Sequence, residues 1–235
     1  IVLGNESNVN VDLAMPTSSL EAYVRLHPFA RVMEWMFNEK VVNILVDIIN
    51  RDVDVLGQSS HDSPVVMGVL RAVQVMIKVI ELQDTYLHLV RPLIKKQSGQ
   101  RSRSVASGGY SAFEDGIMNH LSLVEDLGRL TNLGNPDLTW ASLKLLEKIS
   151  TSSKIISAWN PDGRHAHRNK AIVQLERGGA GVSIAASLAK AIAQTLDPVQ
   201  EAESPGYRTK MFVLDFLYKC LKANPDKPTI AHLLL

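Results

Sequence analysis

Cysteine is nearly absent from this 235-residue chain: Cys220 stands alone, so no internal disulfide can form and the fold must rest on packing. A dominant charge sign is missing as well. Twenty-five basic residues face 24 acidic ones, leaving +1, so no long-range field draws the whole chain to nucleic acid or anionic lipid. Long uninterrupted apolar runs are also lacking. The longest, Val65 to Ile80, is broken by Arg71, Gln74 and Lys78 before it reaches the roughly 18 to 20 residues of a membrane span. Neither a start methionine nor a basic leader opens the chain, and it closes in the apolar run Ile230 to Leu235, the pattern expected of a slice of a longer polypeptide.

What is present is helical periodicity. Ser18-Ser19 form a capped turn leading into a short helix with Tyr23, Val24 and Leu26; Pro28 opens a helix carrying Phe29, Val32, Met33, Met36 and Phe37, and Asn38 caps another reaching Ile49. Val53 to Ser63 has the composition of a loop, with Gly57, Ser59, Ser60, Asp62 and Ser63. From Pro64 nearly 30 residues run to Arg91 without a turn signal, too long for a strand, and Pro92 should bend or end the helix. Lys95 to Tyr110 is rich in Ser and Gly, carries Lys95, Lys96, Arg101 and Arg103 without an acid, and reads as a mobile basic loop. A helix from Ser111 to about Leu130 follows, Glu114 completing a capping box and Gly116 and Gly128 weakening it locally.

Asn135-Pro136-Asp137 combines a cap, a first-turn proline and an acid suited to the positive helix end, with Leu138, Ala141, Leu145 and Ile149 on one stripe behind it. The tripeptide recurs at Asn160 and Asn224; its first and third copies lie 89 residues apart, about two repeats of the 40 to 47 residues of HEAT or armadillo units. Turn-forming composition alone also produces such recurrence. Two further helices are expected near Lys170 to Glu176 and Val182 to Leu196. A last one presents Tyr207, Met211, Leu214, Tyr218 and Leu221 as one stripe, widened by Phe212, Phe216, Leu217 and Cys220, and reads as internal. Buried Leu or Ile side chains are worth roughly 1.5 to 3 kcal/mol each, which a lone helix cannot realise, so helix must stack on helix. The expected fold is all-α, one continuous HEAT/armadillo-like α-solenoid segment of antiparallel helix pairs over residues 1–235.

Reactive chemistry is sparse. Gly178-Gly179-Ala180-Gly181 before a helix mimics a phosphate loop, but position 184, where the final glycine belongs, is Ile184, and no βαβ series surrounds it. His165 and His167 beside Asp162 could begin a metal site, although Arg164, Arg168 and Lys170 would repel a cation. A Gly-x-Ser-x-Gly elbow is missing, and Cys220 among Phe216, Leu217 and Leu221 reads as a buried, inert thiol. No catalytic, cofactor or metal residue is assigned. Ser102 and Ser104, beside Arg101 and Arg103, are candidate phosphorylation sites; a solvated spacer has the same composition.

From Asn135-Pro136-Asp137-Leu138 through Ala141-Ser142-Leu143-Lys144-Leu145-Leu146 to Ile149-Ser150, the sequence resembles the large α-solenoid scaffold nucleoporins of the nuclear pore inner ring. Arg208 with the helix through Leu221, then Lys222-Ala223-Asn224-Pro225 and Leu233-Leu234-Leu235, resembles a second segment of that family. The two stretches cover about a fifth of the chain. The resemblance implies a non-enzymatic structural role at the nuclear envelope, supporting nucleocytoplasmic transport. It also implies partners among other scaffold and linker nucleoporins, without cofactor, direct nucleic-acid contact, membrane insertion or small-molecule substrate. A karyopherin-like transport receptor solenoid is the runner-up, but such receptors carry a more acidic cargo surface than this near-neutral chain.

Overall fold

Proline and asparagine set the helix starts of the computed structural model, which describes residues 23–24, 26–50, 53–93, 109–156, 169–194, 204–223 and 228–234. Outside them fall the turn at Ser18-Ser19, most of the basic loop with Ser102 and Ser104, the His165 and His167 cluster, and the tripeptides at Asn160 and Asn224. Every regular element among the described residues is helical, and one isolated bridge, Asn38 with Gly109, is the β-type pairing found there. The elements are α1 (Pro28–Met36), α2 (Glu39–Ile49), α3 (Val53–Gln58), α4 (Pro64–Thr85), α5 (Phe113–Asn119), α6 (Leu123–Leu130), α7 (Pro136–Thr151), α8 (Ser153–Ile156), α9 (Lys170–Arg177), α10 (Ala180–Ala193), α11 (Pro205–Ala223) and α12 (Ile230–Leu234).

The chain divides into two compact units, residues 1–42 with 79–116, and residues 43–78 with 117–235. In the first, His27 caps α1 by accepting the Phe29 amide at 3.2 Å, and Pro28 takes the position where no amide is needed. Phe37 lies between Tyr86 (centroids 5.2 Å apart) and Phe113 (6.4 Å), with the Arg91 guanidinium 5.9 Å from its ring centre. Burial pushes the Tyr86 phenol up; Glu34 adds to the effect and Arg91 opposes it. A methyl group at Gly116 would fall 2.9 Å from Tyr110 Cε2 and 3.1 Å from Val42 Cγ1, so this glycine buys close packing rather than a break.

The long helix neither ends nor simply bends as Pro92 approaches. It widens into a π-helical turn, Tyr86–Val90, in which the Arg91 amide bonds to the Tyr86 carbonyl, and helix resumes over residues 91–93. Its α-helical part buries Val66, Val69, Leu70, Val73, Met76 and Ile77, with Ala72 and Val79 broadening the covered arc, as its apolar pattern requires.

Two sequence expectations are corrected here. Residues 53–58 are helical, not loop, because burying Leu56 gives the short turn a packing partner that composition does not show. The helix from Ser111 is two helices. Ser111 and Ala112 pair with the Asp115 carboxylate, while Glu114 instead accepts from Gln83 Nε2. The break falls at residues 120–122, where His120 Nε2 meets Asn43 Oδ1 at 2.8 Å, and not at Gly116 or Gly128.

In the second unit α7 is the central helix. Asn135 accepts the amides of Asp137 and Leu138 at 3.1 Å each, and Leu138, Ala141, Leu145 and Ile149 are fully buried. Thr139 Oγ1 donates to the Thr131 carbonyl and Thr131 Oγ1 to that of Gly128, stitching α6 to α7. Around α7 pack α6 and α11, and α10 packs against α6, α11 and α12. Helix on helix throughout this unit is solenoid-like packing.

Candidate docking surface

The ends of three helices meet at a buried polar joint. Asn169, the N-cap of α9, accepts the Ala171 amide at 3.0 Å and donates its own amide to the Ser150 carbonyl at 2.8 Å and the Pro228 carbonyl at 3.4 Å. Ser150 Oγ in turn accepts the Ile230 amide at 2.8 Å, at the start of α12. Because Asn169, Ser150 and Thr229 are fully buried, each bond replaces one that water would otherwise have made. Such a joint fixes how α7, α9 and α12 meet, and it is structural rather than reactive. The sequence singles out none of its residues as a joint; the one available signal is an asparagine directly before the helix at Lys170.

The glycine-rich turn is a helix-to-helix corner. Its first glycine, Gly178, leaves room for Glu125, whose carboxylate would lie 2.2 Å from an added methyl and which accepts from Gln174 Nε2 at 2.8 Å. Gly179 has φ +66°, the left-handed conformation that turns α9 into α10. With helices on both sides and a carboxylate beside it, the turn does not have the setting of a phosphate loop. Cys220 is buried, and burial, helped by the charge of Glu147, pushes its thiol up to about 12. Among the described residues no three His, Cys, Asp or Glu side chains are grouped so that they could hold a metal ion, and no helix is long and apolar enough to cross a membrane.

Between α7 and α11 lies a shallow notch lined by Trp140, Leu143, Lys144, Phe212 and Asp215 among others. Its enclosed volume of about 10 Å³ has room for about one water and none for a small molecule, and the Lys144–Glu147 ion pair, at 2.9 Å, forms part of its lining. Trp140 and Phe212 meet edge to face, centroids 6.4 Å apart, along its rim.

On α11 the expectation of an internal helix is corrected. Val213, Phe216, Leu217 and Cys220 form the buried stripe, facing α7, α10 and α12, whereas Tyr207, Met211, Leu214, Tyr218 and Leu221 are exposed, Leu214 by 41% and Tyr218 by 60%. Two apolar stripes share the helix, and among the described residues its neighbours cover one of them. Next to the exposed stripe lie Arg208, which pairs with Asp137 at 3.3 Å, Lys219, which pairs with Asp215, and Lys222, whose ammonium sits 5.4 Å from the Tyr218 ring centre. Hydrogen bonding to Asp215 raises the Lys219 pKa, so the border stays cationic at neutral pH.

Helix packed on helix, with ends tied by polar caps and a buried joint, defines an all-α, solenoid-like protein. The chain belongs to the nuclear pore complex scaffold family of nucleoporins 186/192/205, whose family model matches residues 1–235. It is 61% identical over 239 residues to the nucleoporin NUP192 of Chaetomium thermophilum, a match covering 100% of this chain and 14% of that relative. This family is a structural one, of the nuclear pore at the nuclear envelope.

Proposed function

We propose that this chain is one continuous helical span of an inner-ring scaffold nucleoporin, giving a stiff segment and docking surfaces for other scaffold and linker nucleoporins in support of nucleocytoplasmic transport. The observation that carries the reading is the family match along the whole of residues 1–235. Its mechanism is mechanical: polar caps and joints such as Asn135 and Asn169 fix helix ends, and apolar faces and grooves receive partner segments. Direct nucleic-acid binding, a cofactor and catalysis have no part in this reading. Ser102 and Ser104 are its candidate points of regulation by phosphorylation, through the charge they would add to a basic stretch.

Chemical cross-linking and pull-down with the full-length protein against other scaffold nucleoporins tests the proposal. Enrichment of those nucleoporins is expected. A correctly folded full-length protein that captures none of them, or stoichiometric binding of a nucleotide or metal ion, would overturn it.

A further inference from the structure

We propose that the outward face of α11 seats an acidic amphipathic helix: a partner segment with apolar residues in heptad spacing and carboxylates along its borders. The proposal rests on the scaffold reading above and names one of its docking surfaces. Tyr207, Met211, Leu214, Tyr218 and Leu221 follow one another at intervals of 4, 3, 4 and 3 residues. An interval averaging 3.5 is the period at which an apolar seam stays in line with a second helix laid along it. The opposite side of α11 is already occupied through Val213, Phe216, Leu217 and Cys220, and among the described residues no element covers the outer seam.

Charge selects the partner. Arg208, Lys210, Lys219 and Lys222 lie on α11 against the single acid Asp215. At 100° per residue, Arg208, Lys219 and Lys222 fall to one side of the seam and Lys210 to the other. These are the places where the e and g positions of a partner helix would come, and carboxylates there would find cations on both borders. The pairs already present, Arg208 with Asp137 and Lys219 with Asp215, are solvent-exposed, and exposed pairs exchange partners at little cost. A bilayer surface would also attract a cationic helix, but it imposes no heptad register, and a helix anchored through its opposite face is poorly placed to sink into an interface.

The test uses the full-length protein and two fluorescein-labelled helical peptides of about three heptads with leucine at a and d, one with glutamate and one with lysine at e and g. Fluorescence anisotropy is expected to show the glutamate peptide binding about tenfold tighter than the lysine peptide. Leu214→Glu with Tyr218→Glu should weaken it by a further tenfold or so, the size of a seam hot spot. Both residues are exposed, so the thermal midpoint should hold. Lys210→Glu with Lys222→Glu, which leaves the seam intact, should reverse the preference between the peptides.

Equal binding of both peptides, or binding that survives Leu214→Glu with Tyr218→Glu, would overturn the proposal. So would three other results. Sedimentation with phosphatidylserine vesicles, lost in the seam variant, would assign the face to a membrane. Self-association lost in that variant would assign it to a second copy. Failure of both peptides, with a lowered midpoint on Leu214→Glu, would mean that the protein's own chain covers the seam. If the seam variant still captures scaffold nucleoporins as the parent does, this surface falls while the scaffold reading stands; if the parent captures none, the scaffold reading itself falls.

Discussion

The side-chain amide of Asn169 donates to the carbonyl oxygen of Ser150, 19 residues earlier, at 2.8 Å in a fully buried setting. Its carbonyl oxygen meanwhile caps α9. Asn169→Ala removes a cap and strands a buried carbonyl, which together should cost about 2–4 kcal/mol in urea unfolding. Asn169→Asp keeps the cap acceptor but loses the donated bond and buries a charge, so it should be no milder than alanine. An aspartate variant as stable as the parent would show that the donation to Ser150 contributes nothing.

At Gly128 an added methyl would lie 2.1 Å from Ile184 Cδ1, across the α6–α10 contact. Gly128→Ala should therefore destabilise by about 1–3 kcal/mol despite alanine's better helix propensity. Ile184→Val deletes the nearer of the two clashing carbons, Cδ1, and leaves the Cγ1 position, 2.8 Å from the added methyl. The double variant should cost less than the two single changes added together, and strict additivity would show that the contact is not the cause.

Much of this was legible in the sequence, because much of it is local. Asn135-Pro136-Asp137 announces α7 through three residues whose chemistry acts within one turn, and the core stripe behind it follows from spacing alone. Legibility stops where the deciding partner is remote. Ser150 gains its role from residues 19 and 80 positions away. The break at residues 120–122 coincides with the contact of His120 with Asn43, not with a helix-breaking residue type. On α11 two apolar stripes overlap, and spacing cannot rank them; the neighbours that cover Val213, Phe216 and Cys220 made the choice.

Cys220 should be silent to alkylation. With its thiol pushed up to about 12 by burial, iodoacetamide at pH 8 should label the folded protein on the order of 100-fold more slowly than the unfolded one. Mass spectrometry across a urea titration would show labelling rising with unfolding; rapid labelling in native buffer would contradict the buried placement.

Asp126 gives a pH signature. Burial raises its carboxyl pKa, Arg129 opposes that only in part and Glu125 adds to it, while Oδ2 has no hydrogen-bond partner among the described residues. A folded pKa above the unfolded one means a stabilising contribution that is fully present below the unfolded value, about 3.9, and is lost as pH rises through the folded value. Asp126→Asn should therefore gain stability over the parent at pH 7, and the gain should shrink as the pH approaches the unfolded value. Urea midpoints of both proteins across that range would show it, and a gain that grows on acidification would refute it.

The π-helical turn at Tyr86–Val90 holds one residue more than an α-helix would fit into the same rise, which makes it the chain's place to absorb a change of length. A single deletion there can be taken up by the turn relaxing to α-helical winding, leaving Arg91 aimed at the Phe37 ring as before. The same deletion between residues 79 and 85 has no such slack, and would swing the side chains that follow it by about 100°, taking Tyr86 off Phe37.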